Sequence, residues 1–522
     1  MQADLLLRGG AIYTMDPRLP QTRALAISDG RIVASGDGPF DELRGPRTRI
    51  VELHGRAVVP GFVDAHIHFA SFGLTRGQLN LDVAATLEDG LRLAANAAVQ
   101  LQDGAWLHGR GWDRNRWGRL PTAADLDRAI GARPAVLTSH DGHAVWLSSS
   151  AMHAAGIDRD APTPNGGVIE RDTSGEPTGV FFETAQDLVR GHIPEPTDAE
   201  VRAAILEALK IAAAAGLSGI HNLEDSRSRR AFESLEAAGE LTLRVYHGLP
   251  RGELRKARDQ QLRTGLGSDW FRIGPVKLFA DGALGSRTAH LLAPYEGRAA
   301  DDYRGVPTMT ANELADDMRR AADARLDLAM HAIGDAAVRA VLDAYASTRT
   351  EYPSLAERML RIEHAQLIDA ADLPRLRQLG AIASMQPIHA LADRETADMH
   401  WGARAEHGYA WRSVVDSGAT LALGTDAPVE SVEPLLNLHA ATTRGGWYPA
   451  QRLTLEQAVR AYTVGSAVAE RASERRGRLV PGMDADLAVL SLDPFPEEPA
   501  ALLDTRVDLT IVGGRVTFEG GE

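Results

Sequence analysis

The chain has 522 residues, 44% apolar and 24% charged, with a formal net charge of −15 and no cysteine. This balance excludes disorder, and the acidic excess argues against nucleic acid or an anionic membrane surface as the main partner. No run approaches the roughly 18 to 20 apolar residues needed to span a bilayer, and without cysteine any metal site must use His, Asp, Glu or a modified Lys.

In chain order, the start reads as short strands: Leu5 to Tyr13, Ala24 to Ile27 and Arg31 to Ala34, with a hairpin turn at Ser28-Asp29-Gly30. The N-terminus, with Asp4 early and only Leu5-Leu6-Leu7 apolar, does not read as a secretion signal, so the expected location is cytoplasmic. The C-terminal runs Asp486 to Leu490 and Leu509 to Val516 have the same character. Gly9-Gly10 and Gly513-Gly514 each read as a Gly-Gly turn after an apolar strand. Neither end is large enough for a core of its own, so both are expected to join in one small β domain.

Between the ends, strands alternate with helical stretches such as Ala199 to Ala215 and Ala311 to Ala324. The first strand runs through Phe62-Val63-Asp64-Ala65-His66-Ile67-His68. Seven more follow: Leu217 to His221, Leu241 to Tyr246, Pro275 to Phe279, Leu326 to His331, Arg361 to His364, Ala381 to Met385 and Leu421 to Asp426. Eight strands separated by helices fit a parallel (β/α)8 barrel. An open doubly wound sheet is the alternative, but no G-x-G-x-x-G follows an early strand. About 150 residues separate the first two strands, where loops of about 2 to 6 residues and one helix are usual. This stretch reads as an inserted subdomain walling the pocket, with a hairpin from Gly167 to Glu183 turning at Thr173-Ser174-Gly175.

His66 and His68 point to the same face of a strand, about 6 to 7 Å apart along the backbone, and can converge on one metal ion. In a chain with 17 histidines roughly half an H-x-H arises by chance, so the pair needs partners. The other strand ends supply them: Lys277 lies in strand four, strand five ends in His331, strand six in His364 and strand eight in Asp426. Each has a bland reading. His331 or His364 could be a packed histidine, Lys277 could pair with Asp281, and Asp426 could be a helix N-cap before Pro428. Their shared position at one end of five strands argues against five separate explanations.

These residues carry a resemblance. Pro60 to His68, Val276 to Arg287, His331-Ala332-Ile333-Gly334-Asp335, Arg361-Ile362-Glu363-His364, Gly424-Thr425-Asp426-Ala427-Pro428 and Gly482 to Leu487 resemble the amidohydrolase superfamily. Within it the chain is most similar to the family-3 branch, which includes N-substituted formamide deformylases. Gly111-Trp112-Asp113 and Asp141-Gly142-His143 resemble that branch in particular. The resemblance implies a distorted TIM (β/α)8 barrel, residues 61–469, with an inserted subdomain at about 75–200. Residues 1–60 and 470–522 would form a composite small β-sandwich domain.

By the same resemblance, His66, His68 and Asp426 bind the more buried metal, and His331 and His364 the more exposed one. Lys277, carboxylated by CO2, bridges the two through its carbamate. Zn2+, two per chain, is the expected metal, with Mn, Fe or Co also compatible and a one-metal site left open. A metal-bound water attacks an amide carbonyl, and Asp426 carries the proton to the leaving nitrogen. Trp112, His140, His143, Arg287 and His389 are candidate substrate contacts, although Trp112 could belong to the core of the insertion and Arg287 to a structural ion pair. His221, near the end of strand two, is read as packing or support.

The expected activity is hydrolysis of a non-peptide C–N bond in a small molecule, an N-substituted formamide or other N-acyl compound. The alternatives are a deaminase or cyclic-amide hydrolase of the same superfamily, and a scaffold that has lost catalysis. Nucleic acid and membrane are not expected partners, and a homodimer would be unsurprising.

Overall fold

The computed structural model describes residues 2–102, 104–139, 144–164, 167–285, 287–300 and 302–520. Two compact units emerge, Met1–Gly73 with Val201–Glu522, and Leu74–Glu200.

In the larger unit eight parallel strands pair in chain order: Phe62–Ile67, Leu217–Asn222, Arg244–Pro250, Phe271–Phe279, Leu328–Ala332, Leu360–His364, Ile382–Met385 and Thr420–Leu423. They are barrel strands one to eight of a nearly closed (β/α)8 barrel. Strand three begins at Arg244 rather than Leu241, because Leu241 and Leu243 are buried in the entering loop. Apolar composition alone cannot separate such a loop from a strand. The connecting helices follow from capping and stripe. Thr310 caps Ala311–Asp323 in a reciprocal box with Glu313, and the helix buries Leu314, Met318, Ala321 and Ala322 at helical spacing.

Strands one and eight share no ladder among the described pairings, and the gap is bridged another way. Asp426 N donates to His66 O at 2.8 Å and His68 N to Ala427 O at 2.9 Å. The fully buried Asp64 carboxylate accepts from His66 N, Thr425 N and Thr425 Oγ1 at 3.1, 3.0 and 2.5 Å. Gly424 is required here, since a Cβ would lie 2.5 Å from His66 N and 2.6 Å from Asp64 Oδ1.

Both termini build one eight-stranded sheet. Arg515–Glu519, Val507–Val512, Leu487–Leu490, Ala57–Pro60, Leu5–Tyr13, Gln21–Ser28 and Arg31–Gly36 pair in that order, and Arg49–Glu52 also pairs with Leu5–Tyr13. Of the two Gly-Gly turns expected, Gly513-Gly514 folds the chain back between Val507–Val512 and Arg515–Glu519, whereas Gly9-Gly10 lies within the strand Leu5–Tyr13, where the register with Gln21–Ser28 shifts. Leu7, Ile12, Leu25, Val58, Leu487, Val489 and Ile511 alternate inward to make the core of this sheet. Gly61 joins the sheet to barrel strand one, and a Cβ there would meet the Ser218 side chain at 2.5 Å.

Arg244, from strand three, ties the barrel to the terminal sheet. Its Nε and Nη2 donate to Asp486 at 2.7 and 2.9 Å, and Gly513 N donates to the same carboxylate at 2.7 Å.

The smaller unit holds a six-stranded sheet ordered Gly167–Arg171, Pro177–Glu183, Ala144–Leu147, Ala135–Ser139, Leu107–Trp112 and Leu79–Asn80. Leu87–Gln100 and Ala123–Ile130 pack on it, burying Leu87, Ala94 and Leu126 with Trp112 and Trp146. Among the described residues no helix is long and apolar enough to cross a membrane.

The Arg244–Asp486 pair gives a stability test. Burial alone would raise the Asp486 carboxyl, but the charge and bonds of Arg244 outweigh it and hold the group below its ordinary range. The pair's stabilisation is therefore complete above the unfolded carboxyl pKa of about 4, and is lost as pH falls through the lower folded value. Arg244→Met leaves a buried carboxylate unpaired and is expected to cost about 3–5 kcal/mol, read as a fall in Tm at pH 7. The gap from the unsubstituted chain should narrow below about pH 4; narrowing on the alkaline side would contradict this account.

Candidate metal centre and active site

The strand-end residues singled out in the sequence meet in space. His66, His68, Lys277, His331, His364 and Asp426 line one cavity of about 380 Å³, and His389 lines it with them. His66, Lys277, His364, Asp426 and His389 are each less than 10% exposed. The backbone is unusual at two of them, with φ of +71° at His364 and +61° at Asp426. Such left-handed residues are held by their surroundings and cluster at functional sites.

Asp426 sits at the centre. Its Oδ1 lies 3.2 Å from His68 Nε2 and 3.5 Å from His66 Nε2, and its Oδ2 lies 3.3 Å from His389 Nε2. Burial opposes its charge, but the surrounding histidines, His66 foremost, hold the carboxyl well below its ordinary range. His66, His68 and Asp426 offer ligand atoms within 4.8 Å of one another, and so do His364, His389 and Asp426.

The far nitrogen of each ring decides which lone pair faces inward. His66 Nδ1 contacts Glu363 Oε2 at 2.7 Å, leaving Nε2 toward Asp426. His364 Nδ1 donates to Gln386 Oε1 at 2.9 Å, which leaves Nε2 as its free acceptor. In His331 it is Nε2 that donates to the Gly282 carbonyl, at 2.9 Å, so Nδ1 carries the lone pair. The His331 and His364 rings lie 4.7 Å apart. Such outer bonds fix tautomer and orientation in metal-binding histidines.

Glu363 is itself held by the fully buried Arg361, whose Nε lies 3.0 Å from Oε1. Arg361 also contacts His221 Nδ1 at 2.8 Å and donates to Ala65 O at 2.6 Å. His221 thus supports the barrel interior.

The electrostatics suit a metal. Burial lowers His66 and His331 to about 4 each and His364 well below its usual value, so all three imidazoles are neutral, as ligands must be. Burial also brings Lys277 down to about 8. Its Nζ lies 3.5 Å from His66 Nε2. Asp281 does not pair with it; that carboxylate accepts from the amides of His290, Ile333 and Gly334. Lys277 is buried beside neutral histidines, with the charges of Glu363 and Asp426 acting on it, and the lone pairs of those histidines are what a cation would complete.

The substrate-contact expectations fare unevenly. Trp112 is a correction: it is 1% exposed, belongs to the core of the smaller unit, and donates from Nε1 to Leu137 O at 2.7 Å. Arg287 is exposed on the loop after strand four and is not among the residues lining the cavity. His389 lines the cavity, bonded to Asp426 and, at 3.4 Å, to Glu430. His140 and His143 lie outside the described residues.

Glu363, Gln386 and Glu430 were not singled out in the sequence. Arg361 and Glu363 carried a readable signal, opposite charges two apart in a buried strand. Gln386 and Glu430 sit in loops after strands seven and eight with no pattern to mark them.

A family model described as amidohydrolase family matches residues 49–518. YtcJ of Bacillus subtilis (strain 168), named provisionally as an amidohydrolase, is 34% identical over 98% of this chain and 98% of its own length. The N-substituted formamide deformylase of Arthrobacter pascens is 28% identical over 99% of this chain and 98% of its own. Among solved structures, an uncharacterized metal-dependent hydrolase from Pyrococcus furiosus superposes with a TM-score of 0.81 and 29% identity, covering 94% of this chain and 99% of that one.

The orienting role of Gln386 can be tested without catalysis. Gln386→Met keeps the volume but frees the His364 ring, and zinc affinity is expected to fall about 10- to 100-fold. Competition against a chromophoric chelator measures it, and an unchanged affinity would remove Gln386 from the account.

Proposed function

The chain belongs to the amidohydrolase family, and from that premise we propose that it is a metal-dependent hydrolase of a non-peptide C–N bond, an amide of the N-formyl or N-acyl type. The observation that carries the reading is the placement of Asp426, one oxygen facing His66 and His68 and the other facing His389. A carboxylate kept ionised between His66, a buried neutral imidazole, and His389, which its bonds to Asp426 and Glu430 hold up to about 10 against burial, can hold a cation and move a proton.

In this reading His66, His68 and Asp426 hold one divalent ion and His331 and His364 a second, with zinc the first choice for a sulfur-free His/carboxylate shell. When bound, the metal supplies water activated for attack and a polarised carbonyl. Lys277 acts first as an amine. Its neutral form adds CO2 through Nζ and releases one proton, turning a group that would repel cations into an anionic bidentate ligand. Its lowered pKa favours that step near neutral pH.

Asp426 takes a proton from the attacking water through one carboxylate oxygen and delivers it to the leaving nitrogen as the C–N bond breaks. Water adds across that bond, giving an acid and an amine. His389 bonds the other oxygen and Glu430 backs His389, so the carboxylate keeps its orientation. The substrate is a small molecule, since the cavity of about 380 Å³ is of ligand-pocket size.

The test is a screen of N-formyl, N-acyl and cyclic amides with zinc and bicarbonate present, scoring amine and acid released in equal amounts. Asp426→Asn is expected to lower kcat about 10²- to 10⁴-fold while most of the metal stays bound. Near-normal kcat in that variant would defeat its role. Chelation should abolish turnover and zinc restore it, and Lys277→Ala should lose any dependence on bicarbonate. A purified chain that takes up no metal would favour the scaffold.

A further inference from the structure

The cavity above the proposed ligands is divided in polarity. On the side of strands four and five it is walled by Phe279, Leu284 and Ile333. Phe279 is 48% exposed, and its ring centroid lies 5.1 Å from that of His331. An exposed aromatic face beside the reacting centre suits an apolar group.

On the side of strands six to eight the wall is Gln366, Asp393 and Glu430. Gln366 is 5% exposed, yet its carboxamide Oε1 has no hydrogen-bond partner. Asp393 accepts from Tyr409 Oη through Oδ2 at 2.5 Å, and Glu430 is engaged through Oε1 in the long 3.4 Å contact with His389. Among the described residues no arginine lines the cavity, and its one lysine, Lys277, lies beside His66. This wall therefore offers acceptors and two carboxylates, with His389, which its bonds to Asp426 and Glu430 hold up to about 10 against burial, set between Glu430 and Asp426. A buried acceptor left without a donor is costly, so a ligand that donates completes it. A carboxylate placed there would face two others.

We propose that the substrate carries a protonated amine or guanidine bound by Gln366, Asp393 and Glu430, with an apolar group against Phe279, Leu284 and Ile333. Amides bearing a carboxylate, such as N-acyl amino acids and dipeptides, are excluded by the same wall. The inference rests on the metal-hydrolase reading of the site and names its substrate class. Burial raises the Asp393 carboxyl, against the Tyr409 bond and the charge of His389, and a cation beside it favours the ionised form.

The experiment titrates the zinc-loaded chain calorimetrically with three hydroxamates of equal length, ending in an ammonium, a methyl or a carboxylate. The ammonium compound should bind about tenfold more tightly than the methyl one, and the carboxylate about tenfold more weakly. In Asp393→Asn, and separately in Glu430→Gln, the ammonium advantage should shrink to about threefold or less. A carboxylate tail that binds as well as the ammonium overturns the proposal, as does an advantage that survives both substitutions. If only the tail preference fails, the metal-hydrolase reading stands. A zinc-bearing chain that binds none of the three overturns that reading and the proposal together.

Discussion

The buried Asp64 carboxylate holds together the two ends of the barrel, and the site depends on that closure. Among the described residues strands one and eight have no ladder between them, so the gap is closed by the Thr425 amide and hydroxyl that donate to Asp64 and by two backbone bonds beyond strand eight. Those backbone bonds involve His66, His68 and Asp426 themselves. Closing the barrel and bringing these three groups together are one event. Gly424 makes it possible by allowing the chains to approach more closely than a side chain would permit.

Around this seam, buried polar groups work in pairs. His66, His364 and His331 each have the other ring nitrogen occupied, by Glu363, Gln386 and the Gly282 carbonyl respectively. Burial keeps the rings neutral, and the outer bond selects the tautomer. Either alone would leave the site undefined, since a neutral ring free to turn presents the wrong atom as readily as the right one. The cost of burying Glu363 is offset by Arg361, which is fully buried too and is fixed by His221 and the Ala65 carbonyl. Support for the site thus extends down the barrel axis to strand two, which supplies no candidate ligand.

Above the seam the loops give the cavity two chemistries. Those after strands four and five contribute Leu284 and Ile333 beside Phe279 at the end of strand four, while strand six's loop, the helix after strand seven and strand eight's loop contribute Gln366, Asp393 and Glu430. The barrel end sets where reaction can occur, and the loops decide what can be presented to it. This separation lets one metal-binding frame serve many substrates.

Much of the barrel was legible because period-two and helical apolar patterns are local properties. All eight barrel strands could be read from them, and the misplaced start of strand three came from a buried apolar loop that looks like a strand. His66, His68, Lys277, His331, His364 and Asp426 were legible because each ends or occupies a strand, and a parallel barrel gathers strand ends on one face. The outer partners were not. Gln386, Glu430 and Gln366 lie in loops, where side-chain direction depends on turns that no periodicity encodes, and Trp112 looked the same in sequence whether it lined a pocket or filled a core. The element types, the joining of both termini in one sheet and the chemical inventory of the site follow from local patterns of residue type. Which nitrogen of His66, His331 and His364 faces inward, the closure of the barrel at Asp64 and the division of polarity across the cavity do not, because they depend on contacts between residues far apart in the chain.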